Sequence, residues 1–202
     1  MLRQPVKKGP AFHGALQSAI IIALEEMRPS IWARLSSEGW PEFLEQWKRY
    51  MTQADITVVT ESQLPVIVEL YNQVFRPPEN ENYFRRRFQG RYNVLAMLAS
   101  LDNRPVGFCV GFELKPLVFY TWLLGVHGDF RRKSIGRQLL ESQLEWAKNH
   151  NYEFARLEIL NRHRAMMHVT VLLEYDVVGT RWDSMHTDLL IQFEKPLTND
   201  LR

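Results

Sequence analysis

Apart from Thr121, every residue from Pro116 to Val126 (PLVFYTWLLGV) is apolar or aromatic, and beyond a short polar junction apolar residues return at helical spacing through IGRQLLESQLEWA. The first pattern predicts a central strand covered on both faces, and the second an amphipathic helix packed against it. Upstream, YNVLAMLASL and RPVGFCVGFEL are β-like runs separated by Asp102-Asn103, a turn dipeptide, and predict an antiparallel hairpin. DITVV (Asp55 to Val59) predicts another strand, followed by a helix in TESQLPVIVELYNQVF that Thr60 caps and Pro65 enters early. RPPENENYFRRRFQGR reads as a turn and then a short basic-aromatic helix ending near Gly90. After the amphipathic helix come a strand (YEFARLEIL), a helix (NRHRAMMHVTVLLEY) and two strands (DVVGTRW and MHTDLLIQFEKPL). That order predicts an α/β fold of α+β type, a mixed sheet with helices on both faces.

Residues 12 to 52 carry a helical pattern of their own, broken at Pro29 and resumed at WPEFLEQWKRYM. Trp32, Trp40, Phe43 and Trp47 are too many large rings for a free tail, so this segment is expected to pack on the domain or across a homodimer. Its apolar run AIIIAL is followed at once by Glu25 and Glu26, and is too short to span a bilayer or serve as a signal segment. The expected division is a helical extension over 1–52 and one domain over 53–202, with no membrane partner.

Composition narrows the function classes. The chain's 202 residues, 46% of them hydrophobic, are enough for one full core and a small appendage. Twenty-five Lys and Arg against 23 Asp and Glu leave a net charge of +2, too balanced for nucleic-acid binding through charge alone, so no nucleic-acid partner is expected. The single cysteine, Cys109, allows no internal disulfide and makes a zinc cluster unexpected, which fits a reducing cytoplasm.

The chemistry concentrates at the junction VHGDFRRKSIGRQLL. A helix N-terminus leaves unpaired N–H groups and the positive end of a macrodipole, and so favours an anion. Gly136 lets phosphate oxygens approach the backbone, and Arg131, Arg132, Lys133 and Arg137 supply cations. A pyrophosphate fits such a site. The junction resembles the cofactor loop of the GNAT superfamily of acetyltransferases, Gln/Arg-x-x-Gly-x-Gly/Ala opening a helix after a long central strand. Arg131, Ser134 and Gly136 take its three specified positions, with Ser134 where the family has its first glycine. The element order follows the family from about Asp55 to Leu197.

The resemblance implies the GNAT acyl-CoA N-acyltransferase fold with an N-terminal extension, and acetyl-CoA as co-substrate. It also implies a pantetheine arm along the central strand, with the backbone N–H groups of Leu124, Gly125 and Val126 facing the thioester. The pyrophosphate would lie on Arg131, Arg132, Lys133, Ser134, Ile135, Gly136 and Arg137. Asn161, read as the Asn of the family's Asn-x-x-Ala-x-x-x-Tyr-x-x-x-Gly-Phe segment, would join the cofactor set.

Acetyl transfer to an amine needs a neutral amine, a stabilised oxyanion and a proton for the departing thiolate. The Val126 N–H is the expected oxyanion contact. Histone-acetylating members of the family carry a glutamate six residues before the equivalent of Val126, where this chain has Tyr120. The base candidates are therefore Glu113, Glu158 and His127. For the acid, two alignments of the helix segment differ by two residues and neither supplies a tyrosine at the family position, leaving His168, Tyr175, a water or no acid at all. Trp182 and the ring-rich VFYTWLL would help to wall the acceptor site; aromatic walls suit an apolar or cationic acceptor, and Arg85 to Arg87 an acidic one. The expected activity is N-acetylation of a primary amine on a small molecule or peptide. The alternative is a catalytically inactive module of this fold that binds CoA or a partner.

Overall fold

The structure, a computed structural model, describes residues 53–198. The expected helical extension over 1–52 lies outside the described residues. Seven strands form one sheet in the order β1-β2-β3-β4-β5-β7-β6. They are β1 (Asp55–Val58), β2 (Leu95–Leu101), β3 (Arg104–Lys115), β4 (Val118–Val126), β5 (Phe154–Leu160), β6 (Asp176–Asp183) and β7 (Asp188–Pro196). All neighbours are antiparallel except β4 and β5, which a helix joins in parallel. The β2–β3 hairpin turns at Asp102 and Asn103, whose φ values of 49° and 61° are the left-handed pair that a tight hairpin requires.

Helices α1 (Leu64–Val74) and α2 (Glu81–Phe88) cover one face, packing Ile67, Leu70, Tyr71 and Phe84 on Leu98, Phe108 and Val110. The other face is covered by α3 (Ile135–Asn149), which buries Ile135, Leu139, Leu140 and Ala147 against Val106, Cys109, Phe119 and Leu157. Strand β3 between these layers is buried without a break from Val106 to Phe112, as its continuous apolar sequence requires. Strand β4 holds the middle place in the sheet, yet from Trp122 to Leu124 it is only half-buried. The reason is its neighbour β5, which leaves it part-way along.

Helix α4 (Arg164–Leu172) is shorter than the expected 161–175. It ends in a Schellman turn, with Glu174 N–H bonded to Val171 O and Tyr175 N–H to Thr170 O, both at 3.0 Å. Glu174 takes the left-handed position, φ 58°, that glycine usually fills.

Candidate active site

Strands β4 and β5 pair from Val118–Phe154 to Thr121–Leu157, and no further. At the point of parting β4 carries a bulge: Val110 faces Leu123 and Gly111 faces Thr121, so Trp122 has no partner of its own. Trp122 and Leu123 accordingly both lie with the α1/α2 layer, while Thr121 bonds Gln143 of α3 and Leu124 packs on the α3 core.

The bulge sets the direction of the amides beyond it. His127 donates its N–H to Val106 O at 2.9 Å, which makes Gly107 and Val126 a non-hydrogen-bonded pair. The N–H and C=O of Val126 therefore turn away from β3, towards the side that β5 has vacated, and those of Leu124, two residues back, turn the same way. Gly125, between them, is hydrogen-bond-paired with Phe108, so its N–H is not presented to the gap.

The loop after β4 makes a short 3-10 turn at Gly128–Phe130 and passes through two left-handed residues, Arg132 (φ 64°) and Ser134 (φ 59°), before α3 begins. Gln138 N–H bonds Ser134 O at 3.0 Å, so the N–H groups of Ile135, Gly136 and Arg137 open the helix with no earlier carbonyl to bond. This N-terminus abuts the end of β4. A Cβ placed on Gly136 would lie 3.4 Å from Leu124 Cδ2 and 3.6 Å from Val126 Cγ2, which is ordinary contact. The fold alone would therefore accept alanine there.

Several cations expected on the phosphates have local contacts. Arg131 Nε donates to Val126 O at 3.2 Å, Arg137 Nε pairs with Glu141 at 2.8 Å, and Lys133 Nζ sits 5.2 Å from the Phe130 ring centre. Asn161 places its N–H on Leu189 O at 2.8 Å, extending the β5–β7 ladder.

The catalytic candidates separate. Glu113 is paired with Phe119, seven residues and about 23 Å from Val126 along the strand, and accepts hydrogen bonds from Tyr152 Oη (2.9 Å) and Asn93 Nδ2 (3.3 Å). Those bonds and that distance hold Glu113 at the far end of the sheet, apart from Val126. His168 is exposed on α4. Tyr175, 5% exposed, is enclosed in the core without a hydrogen-bond partner among the described residues, and burial, with the Cys109 thiol nearby, pushes its pKa well up. Neither is presented as an acid. His127 follows Val126 directly, its Nδ1 accepting the Asp129 N–H at 3.3 Å. Trp182 also departs from expectation: Arg181 reaches Glu158 on the α1/α2 face, so strand alternation turns Trp182 to the opposite face, 64% exposed.

Glu158 is different. It sits one residue beyond the last β4–β5 pair, on the α1/α2 face, within electrostatic range of Tyr120. Burial pushes its carboxyl up, but hydrogen bonds from Arg181 (2.9 Å) and Gln192 (2.7 Å) outweigh that and hold it below its ordinary value, so it is ionised at neutral pH. Burial and the Glu158 charge raise Tyr120 to about 12, keeping the phenol protonated. Beside them a cavity of about 520 Å³ is lined by Tyr83, Arg86, Arg87 and Trp122.

A family model described as the acetyltransferase (GNAT) family matches residues 64–170, more than half of the chain. The chain belongs to the GNAT acetyltransferase family. Solved structures of similar fold include the ribosomal-protein-S18-alanine N-acetyltransferase of Escherichia coli (16% identity, TM-score 0.64, covering 74% of this chain and 99% of that one). An IAA acetyltransferase of Bacillus cereus has 16% identity and a TM-score of 0.61 over 71% of this chain and 99% of its own. A phosphinothricin acetyltransferase of Sinorhizobium meliloti, in complex with AcCoA, has 15% identity and a TM-score of 0.62 over 72% of this chain and 89% of its own. Comparison with curated proteins gives no match. Among the described residues no helix is long and apolar enough to cross a membrane.

Proposed function

We propose that this GNAT protein is an acetyl-CoA-dependent N-acetyltransferase acting on a primary amine of a small molecule or peptide. One observation carries the reading. Where β5 leaves β4, the amides of Leu124 and Val126 turn into the gap beside the open N-terminus of α3. A row of strand amides followed by a helix N-terminus matches a ligand with an amide-bearing arm and a pyrophosphate, and the donor set here therefore fits acetyl-CoA. The Sinorhizobium meliloti neighbour, in complex with AcCoA, supports that donor. A cytoplasmic location goes with this reading and with the buried, unpaired Cys109.

Acetyl-CoA supplies an acyl carbon already activated as a thioester. The chain's part is to hold it and to manage charge and protons. The Val126 N–H is the donor for negative charge developing on the acyl oxygen. The amine enters from the α1/α2 face, where ionised Glu158 takes its proton through water. With Tyr175 enclosed and His168 on the surface, the proton for the departing thiolate comes from water. The enclosed Tyr175 also favours a second reading, a CoA-binding module without turnover. Incubation with acetyl-CoA and a broad amine panel, following thiol release and acetylated product, tests both. Product establishes the transferase, whereas acetyl-CoA binding with no product from any amine establishes the inactive module.

A further inference from the structure

Resting on the transferase reading, we infer that the acceptor amine also carries a carboxylate, which Arg87 holds against Trp122 with Arg86 beside it. The last turn of α2 carries three consecutive arginines. Arg85 is committed to Glu61 and to Glu81 (3.3 Å). Arg86 places Nε on Asn82 O at 3.2 Å. Arg87 lays its guanidinium over Trp122 at 5.2 Å and Phe112 at 5.7 Å, and Arg91 lies over Phe112 at 4.8 Å. Neither Arg86 nor Arg87 forms an ion pair with a described residue. Glu158, which like Arg87 acts electrostatically on Tyr120, is already held by Arg181 and Gln192, and Glu79 acts in the same way on Tyr83.

A guanidinium stacked on rings has its plane fixed while its in-plane N–H donors stay available, and one planar fork matches one carboxylate. The cavity that Tyr83, Arg86, Arg87 and Trp122 line therefore combines aromatic walls with two guanidinium groups that no described residue ion-pairs. A larger cavity of about 960 Å³ also takes in Arg86, but its other arginine, Arg85, is already neutralised by Glu61, which lines it too. The place in the fold fixes the scale. Trp122 is the bulged residue where β4 parts from β5, and Val126, the donor for the acyl oxygen in the transferase reading, follows four residues later, about 13 Å along the strand. An anion bound at Arg87 thus lies within a short peptide of the transfer site. A purely cationic acceptor, such as a polyamine, would meet like charge there.

The test compares free amino acids and dipeptides with their C-terminal carboxamides, which keep size and amine but lose the charge. Binding to the full chain with CoA present is measured by calorimetry, and acetylation separately by thiol release. At least one acid should bind at least about tenfold more tightly than its amide, the scale of one charge-assisted hydrogen bond. Arg87→Gln should erase that preference, and Arg86→Gln, an exposed change, should reduce it. No acid tighter than its amide, no binding at all, or a preference that survives both variants overturns the inference. If acetyl-CoA binds and amides are acetylated as well as acids, this inference fails and the transferase stands. If acids bind preferentially without acetylation, the anion site stands and the transferase reading fails.

Discussion

Ser134 links the loop to α3 with φ 59° and ψ 9°, and its side chain makes no capping hydrogen bond. A left-handed backbone costs an L-residue about 1–2 kcal/mol, a cost glycine escapes. Glycine in turn loses about 0.4–1 kcal/mol through the freedom it restores to the unfolded chain. Ser134→Gly should therefore stabilise the fold by about 0.5–1 kcal/mol, or about 1–4 °C in Tm for a chain of this size. Ser134→Ala keeps the Cβ and loses no cap, so it should stay within about 0.5 kcal/mol of the parent. Urea melts of the three proteins without ligand, read as midpoints at equal slope, decide the matter. If alanine costs about 1 kcal/mol and glycine brings no gain, the hydroxyl is a working cap and the backbone argument is wrong.

Three further outcomes follow from the packing and the site. Gly111→Ala would put a Cβ 2.6 Å from the Phe119 ring and 2.7 Å from Tyr120 O, and should cost about 2 kcal/mol in a urea melt, because the carbonyl belongs to the β3–β4 pair. Glu158→Gln should lower kcat/KM at least about a hundredfold while Glu113→Gln stays within about tenfold, so equal losses would return the base to the far end of the sheet. Burial, helped by Arg162, holds His163 below its ordinary 6.5, so the unfolded chain takes up this proton more readily than the folded one. Its contribution to stability should be full above about pH 6.5 and fall as pH drops through it, and His163→Gln should flatten that limb in urea melts at about pH 7.5 and 5.5.

Local patterns carried much of the fold into the sequence. Asp102-Asn103 announced the hairpin, and the cationic junction before Ile135 marked the open helix end. The residues that sequence reading misplaced depend on pairing between distant strands. Glu113 looked like a strand-end carboxylate, and only its register against Phe119 shows its distance from Val126. The bulge at Trp122 leaves no trace in composition, because it exists only as a mismatch between β3 and β4. Trp182 could be given a face only once Arg181 was seen to reach Glu158. Tyr175 stood at the end of the expected helix as a candidate acid, but the Schellman turn at Glu174 ends the helix before it and folds the ring into the core.

Amide hydrogen exchange, measured residue by residue with and without saturating acetyl-CoA, tests the central claim most directly. Ligand-bound strand and helix-end amides should exchange at least about tenfold more slowly at Leu124, Val126, Ile135, Gly136 and Arg137. Gly136→Glu, which sets bulk and like charge beside the open N-terminus of α3, should lose that protection. Unchanged exchange at those five amides, or protection confined to other parts of the sheet, would contradict the assignment of the β4–β5 gap and the α3 N-terminus as the acetyl-CoA site.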